Sequence, residues 1–338
     1  MNNKERMNEL DALRGIAAVA VVIYHYTTRY NELFPSYSTS SFSFPYGKLG
    51  VHIFFILSGY VIFLTLKNVT SYKDFIKKRA IRLYPAYIFS VILTFSLVST
   101  FGLENRETTF FEALINLSML QSFIPGIGHV DGAYWSLSVE ITFYILISIM
   151  LYFNKIHQIY TALLIWLLGS MLFFMVTIYM DNHLITSIYH KSISDYSHLF
   201  IAGILFNLLQ KAVKKKYILL LLSTLIYQFI LSDIITFLVI SSMYLVFWKI
   251  ISGKLYYLNN KFLVFLGSIS YSLYLIHQNI GYLILNYLHR IGFESSFWIF
   301  LPLVFTICIA YFITEFVERP IINYLKRKMS SQEYKRVS

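Results

Sequence analysis

Long apolar runs broken by short polar connectors fill most of the chain. They lie at roughly 12–30, 49–66, 83–101, 134–153, 159–179, 196–210, 217–231, 234–252, 262–288 and 297–324. A bilayer core about 30 Å thick needs about 20 predominantly apolar helical residues to cross it. The pattern therefore predicts an all-α polytopic membrane protein of about ten transmembrane helices, with 196–210 and 217–231 the shortest. No repeat, low-complexity tract or soluble domain interrupts the series. Residues 1–338 read as a single transmembrane domain with a basic tail at 325–338 and no fused extracytoplasmic domain. The longest connector, about 102–133, predicts a short amphipathic helix from Phe111 to Phe123 and ends in "PGIGHVDG".

Composition supports the membrane reading. The chain is 57% hydrophobic and 13% charged, about half the charge of an ordinary soluble domain, and its mean hydropathy is +0.61. The first run is no cleavable signal peptide: Asp11 and Arg14 open it, a small-residue cleavage site is lacking, and further spans follow. Cys308 is the single cysteine, which excludes an internal disulfide and a cysteine-based metal site.

A net charge of +11 would suit nucleic acid, but its distribution points elsewhere. With the N-terminus in the cytoplasm, 23 of the 28 Lys and Arg fall on cytoplasmic segments and span ends. Only Arg29, Lys48, Arg106, Lys191 and Arg290 fall outside. That asymmetry predicts both termini inside. It assigns the basic charge to orientation, anionic lipid and anionic cytosolic ligands, with no call for nucleic acid.

Several stretches carry polar groups into apolar helices. In "ELDALRGIAAVAVVIYHY", Arg14 and His25 are eleven residues apart, about 20° from alignment and about 16 Å along the axis, with Asp11 close to the same stripe. An ionisable stripe on a span predicts a protein-lined cavity; a snorkelling anchor and an interfacial histidine are the alternatives. "RAIR" sets Arg79 and Arg82 on one helix face at the cytoplasmic side. Paired guanidiniums suit phosphate oxygens, and topological anchoring is the alternative. "DGAYWSLSVEITFY" brings Asp131, Trp135, Ser136, Ser138, Glu140 and Tyr144 to the outer end of the fourth span. Ser136, Glu140 and Tyr144 step by four along one face, and Glu140 needs a partner, either a histidine or a structural hydrogen bond. In the ninth span Ser270, Tyr274 and His277 share a face with Tyr271 and Gln278 nearby. His277 could pair with Glu140, line the cavity or meet the acceptor. Glu315, Glu318 and Arg319 read as structural, with Glu315 and Arg319 forming an i, i+4 pair.

"LDALRGIAAVAVVIYHY" resembles the signature of the acyltransferase-3 family of bacterial membrane acyltransferases, an Arg or Lys followed after ten residues by His. The stretches "GKLGVHIFFILSGYVI", "KKRAIRLYPAY", "YWSLSVEITFYI", "SISYSLYLIH" and "VERP" agree with the family and occur in its order. The resemblance implies a multi-pass protein of the bacterial inner membrane that moves an acyl group from cytosolic acyl-CoA, most simply acetyl-CoA, to a hydroxyl of an extracytoplasmic or lipid-linked saccharide. Acyl-CoA would be a substrate, with no permanently bound cofactor and no metal. His25 and Glu140 would be catalytic, and Arg14, Arg79 and Arg82 would hold the donor. Asp11, His52, Asp131, Trp135, Ser136, Ser138, Tyr144, Tyr271, Tyr274 and His277 would line the cavity or meet the acceptor. His52 departs from the family, which more often has an acidic residue there. A polytopic transporter and a non-catalytic membrane sensor are the rival readings.

Overall fold

Each predicted span is helical in the computed structural model. The structure describes residues 7–37, 42–293 and 295–337, with backbone alone for 296 and 330–337; Lys4 and Arg6 of the charge count lie outside the described residues. In chain order the helices are α1 (Asn8–Tyr24), α2 (Tyr30–Leu33), α3 (Gly50–Thr65), α4 (Tyr72–Phe101), α5 (Phe110–Asn116), α6 (Trp135–Tyr152), α7 (Ile159–Met180), α8 (His183–Lys191), α9 (Ser197–Lys211), α10 (Lys215–Leu231), α11 (Ile234–Ile251), α12 (Lys261–Arg290), α13 (Phe300–Phe312) and α14 (Arg319–Val337). Among the described residues there is no strand. Two π-helical turns, His25–Arg29 and Ile313–Glu318, interrupt this series.

Among the described residues, six helical segments are long and apolar enough to cross a bilayer unaided: Pro45–Asn68, Tyr72–Phe101, Gly132–Tyr152, Ile156–Met180, Ile234–Ile251 and Phe297–Met329. A seventh is a pair, His183–Lys191 and Ile193–Lys211, bent by 56°. Ile156–Met180 and Phe297–Met329 carry apolar surface outward: Ile165, Leu172 and Val304 are 65%, 67% and 56% exposed, as helices bathed in lipid require. The other predicted spans differ for physical reasons. α9 is buried along nearly its whole length, and α12 is enclosed while carrying Ser270, Ser272, Tyr274, His277, Gln278 and Asn279. A helix surrounded by protein does not need uniform apolarity. In the long connector the helix is shorter than the sequence predicts. A Thr109–Glu112 capping box starts α5, which ends at Asn116, and Met119 takes a positive φ of 62°.

The chain divides into two compact units, with boundaries inside α1, α4, α6 and α12. The first holds 1–17, 49–76 and 139–263. Its centre is the contact of α3 with α9. A Cβ on Gly59 would run into the Phe200 carbonyl, and one on Gly203 into the Ile56 carbonyl. Two glycines thus let the helix backbones touch, the small-residue packing that membrane helices use where no hydrophobic drive separates protein from lipid. Interior polar groups pair with one another: Tyr189 and Tyr227 hydroxyls lie 2.7 Å apart, Tyr227 donates to the Ser170 carbonyl, and His198 Nε2 meets Gln228 Oε1 at 2.6 Å. The second unit holds 18–48, 77–138 and 264–338. There Gly281 leaves the space that the Tyr26 ring fills.

Replacing Gly203 by Val should destabilise the detergent-solubilised protein by at least the ~1–3 kcal/mol typical of overpacking, because the neighbour is backbone and cannot swing away. Gly169→Ala, where a Cβ meets nothing within 4 Å, should melt at or slightly above the wild-type temperature. Equal melting temperatures for the two variants would refute the backbone-contact account.

Candidate active site

The second unit brings His25 and His277 together. α1 runs apolar and small until Tyr24, then meets "HYTTR". Here side chains take over helix carbonyls. His25 Nδ1 lies 2.8 Å from the Val21 oxygen, and the Thr27 hydroxyl donates to the Ile23 oxygen at 2.7 Å. The Tyr30 N–H reaches five residues back to the His25 carbonyl. Such back-bonding loosens a helix locally, and a π turn at a reactive residue is a recurrent functional device.

His25 faces His277 of α12. His277 Nε2 and His25 Nδ1 are 3.1 Å apart, with the rings edge to face at 4.7 Å between centroids. His277 is completely buried, and its Nδ1 lies 2.8 Å from the Tyr274 carbonyl. Two clamps hold this stretch of α12. On one side the Tyr26 hydroxyl donates to the His277 carbonyl at 2.8 Å and sits 3.3 Å from Thr306. On the other, Asp131 accepts from the Asn279 N–H at 3.0 Å and the Ala133 N–H at 2.9 Å, while Asn279 donates to the Val130 carbonyl at 2.8 Å.

Asp131 is completely buried in its loop. Burial pushes its carboxyl up to about 6, although both backbone donors and the Arg106 guanidinium pull the other way. The sequence offered Asp131 as a cavity or acceptor group; its oxygens are engaged in fastening the loop to α12. Tyr274 and Ser136 hydroxyls, also predicted site groups, are 2.7 Å apart and both reach the Ala133 carbonyl. Ser138 bonds Ser122 at 2.5 Å, and Trp135 is exposed.

At the other end of the same unit, Arg82 pairs with Glu318 of the second π turn. Glu318 is buried, takes a further hydrogen bond from Ser272 at 3.3 Å, and its neighbour Arg319 pairs with Glu315. The Arg82 guanidinium lies over the Tyr271 ring at 5.9 Å, and Tyr271 donates to the Leu83 carbonyl at 3.1 Å. Arg79 is half-buried one turn earlier. The pairing of Glu318 with Arg82 was not visible in the sequence, where Glu318 stood only within "VERP". Ser272 and His277 lie five residues apart on α12, about 7.5 Å along the axis. One helix therefore joins the guanidinium end to the imidazole pair.

The first unit holds the remaining predicted residues. Arg14 and Asp11 form an i, i+3 ion pair at 3.8 Å. Glu140 accepts from the Ser58 hydroxyl at 2.8 Å and the Tyr144 hydroxyl at 2.5 Å. Ser58 thus gives this carboxylate a polar partner from α3. His52 is half-buried, edge to face with Tyr196 at 6.0 Å. Among the described residues no group of three His, Cys, Asp or Glu side chains gathers to hold a metal ion.

Comparison with known proteins agrees with this chemistry. The family model for the acyltransferase-3 acyltransferase domain matches residues 7–315. A protein of Acidianus two-tailed virus, ORF330, provisionally named an acetyltransferase, is 27% identical over 277 residues, covering 78% of this chain and 80% of its own. The O-acetyl transferase of Shigella phage Sf6 is 26% identical over 43% of this chain and 46% of its own. The acyltransferase MdmB of Streptomyces mycarofaciens is 26% identical over 48% and 43%. No solved structure matches. With the family model spanning nearly the whole chain and long apolar helices beneath it, the protein belongs to the acyltransferase-3 family of multi-pass membrane proteins.

Proposed function

We propose that the protein is a membrane O-acyltransferase that moves an acyl group, most simply acetyl, from cytosolic acyl-CoA to a hydroxyl of a saccharide on the opposite face of the bacterial inner membrane. The observation that carries this reading is the arrangement along α12. Ser272 meets Glu318, the partner of Arg82, whose guanidinium suits phosphate, and His277, which faces His25, follows about 7.5 Å further along the helix axis. The name of the Sf6 relative, an O-acetyl transferase, supports a hydroxyl acceptor and an acetyl donor.

Coenzyme A carries its phosphates to Arg79 and Arg82, and its pantetheine arm brings the thioester toward His25; Arg14 is the third donor-binding residue that the resemblance implies. A neutral hydroxyl is a poor nucleophile, so His25 removes its proton as the oxygen attacks the thioester carbonyl. The tetrahedral intermediate collapses, the C–S bond breaks, and the imidazolium returns the proton to the departing sulfur. The products are an ester and free coenzyme A. Glu140, whose carboxylate accepts from the Ser58 and Tyr144 hydroxyls, is the second side chain that the family resemblance assigns to catalysis. Asp11, His52, Trp135, Ser138 and Tyr271 are the side chains assigned to the cavity and acceptor.

In proteoliposomes given acetyl-CoA and a polysaccharide acceptor, His25→Ala should lower kcat by at least about 10²-fold. Normal transfer by a folded His25→Ala protein, or passage of unmodified acceptor across the bilayer, would overturn the proposal. Arg79→Gln should raise KM for acetyl-CoA about 10-fold or more with kcat little changed, the cost of one charged hydrogen bond to the donor; unchanged donor KM would remove it from the donor site. Arg82→Ala should also destabilise the fold by about 3–5 kcal/mol, since it strands the buried Glu318 carboxylate. Adding Glu318→Gln should recover much of that stability while the donor KM stays raised. Recovery of both together would make Arg82 purely structural.

A further inference from the structure

We infer that His277 is the positioning residue of the reaction: it holds the His25 imidazole with its proton on Nδ1, so that Nε2 presents the lone pair that takes the acceptor's proton. This rests on the reading of His25 as the base. The argument begins at the Tyr274 carbonyl, which only accepts hydrogen bonds. His277 Nδ1 faces it at 2.8 Å and must therefore carry hydrogen. A neutral imidazole has one N–H, so His277 Nε2 is an acceptor.

That acceptor lies 3.1 Å from His25 Nδ1, and the Val21 carbonyl lies 2.8 Å from the same atom. Two acceptors around one nitrogen leave one consistent assignment: His25 Nδ1 is the donor, shared between them. Its Nε2 is then unprotonated. The opposite tautomers would set a nitrogen lone pair against a carbonyl lone pair at both rings.

The order of this chain is fixed from outside it. His277 cannot turn to another partner, because it is completely buried. Its backbone is gripped by Tyr26 on one side and by the Asp131 loop through Asn279 on the other. The π turn, in which the Tyr30 N–H reaches the His25 carbonyl, keeps the His25 ring at the end of the chain. When Nε2 accepts a proton, the new charge is met at Nδ1–H by the His277 lone pair and the Val21 carbonyl. A neutral imidazole thus does for His25 what a carboxylate does for histidine in other enzymes, fixing the tautomer and steadying the cation.

Two substitutions and one spectrum test this. His277→Gln keeps an acceptor near the position of imidazole Nε2, whereas His277→Leu removes it at similar bulk. The Leu variant should lose at least about tenfold in kcat, less than the 10²–10⁴-fold cost of losing a general base, with KM for acetyl-CoA unchanged. The Gln variant should regain most of that loss. In wild-type protein labelled with ring-¹⁵N histidine, the His25 signals, assigned by their absence in His25→Gln, should show a protonated Nδ1 and a bare Nε2. Equal losses in folded Gln and Leu variants, or wild-type kcat in both, would overturn the inference, as would a proton on His25 Nε2. If His277→Leu fails to fold, the wild-type spectrum decides alone. Full transfer by His25→Ala beside the expected spectrum would instead end the reading of His25 as base and leave the tautomer pair standing, so the two failures are told apart.

Discussion

A hydrogen-bonding group drawn into a membrane-spanning helix has only protein to answer it, and leaving it unanswered costs several kcal/mol. The second unit is organised by that constraint. α12 is its spine: Ser272, Tyr274, His277 and Asn279 each meet a partner from another segment of the chain. The same contacts that satisfy the polar atoms also fix ring orientation and tautomer. Structural necessity and catalytic preparation are therefore one set of bonds.

The two π turns belong to this economy. A π turn aims a side chain differently from an unbroken α-helix. One such turn carries His25 toward His277, and the other carries Glu318 toward Arg82. The first unit meets the same constraint with neutral groups, as in the Tyr189–Tyr227 and His198–Gln228 pairs. Its one intramembrane carboxylate described above, Glu140, is answered by two hydroxyls. Close backbone contact at Gly59 and Gly203 supplies rigidity where side chains have little hydrophobic reason to associate.

Much of this was legible in the sequence, and the parts that were not have physical reasons. Apolar run length located each helix, because lipid-facing surface must be apolar whatever the fold. The same signal marked α9 and α12, which are largely enclosed by protein, so there it reports the interior as well as the bilayer. Spacing placed Arg79 and Arg82 on one face and marked His25, since helical period is a local property. It could not see that His277 meets His25 over 252 positions, or that Glu318 meets Arg82 over 236, because long-range partnerships leave no periodic trace. It also could not anticipate the first π turn, where side chains at His25 and Thr27 meet the carbonyls of Val21 and Ile23. Asp131 looked like an acceptor group from its place beside the fourth span; its task is set by Asn279 on a helix far along the chain.

The most direct test of the central claim is a cryo-EM structure of the full-length protein in a lipid nanodisc with a non-hydrolysable thioether analogue of acetyl-CoA. The account predicts phosphates seated against Arg79 and Arg82, the pantetheine arm following α12, and the acyl carbon within reach of His25 Nε2. Density for the analogue away from that arginine pair, or an acyl carbon separated from the imidazole by packed side chains, would contradict it.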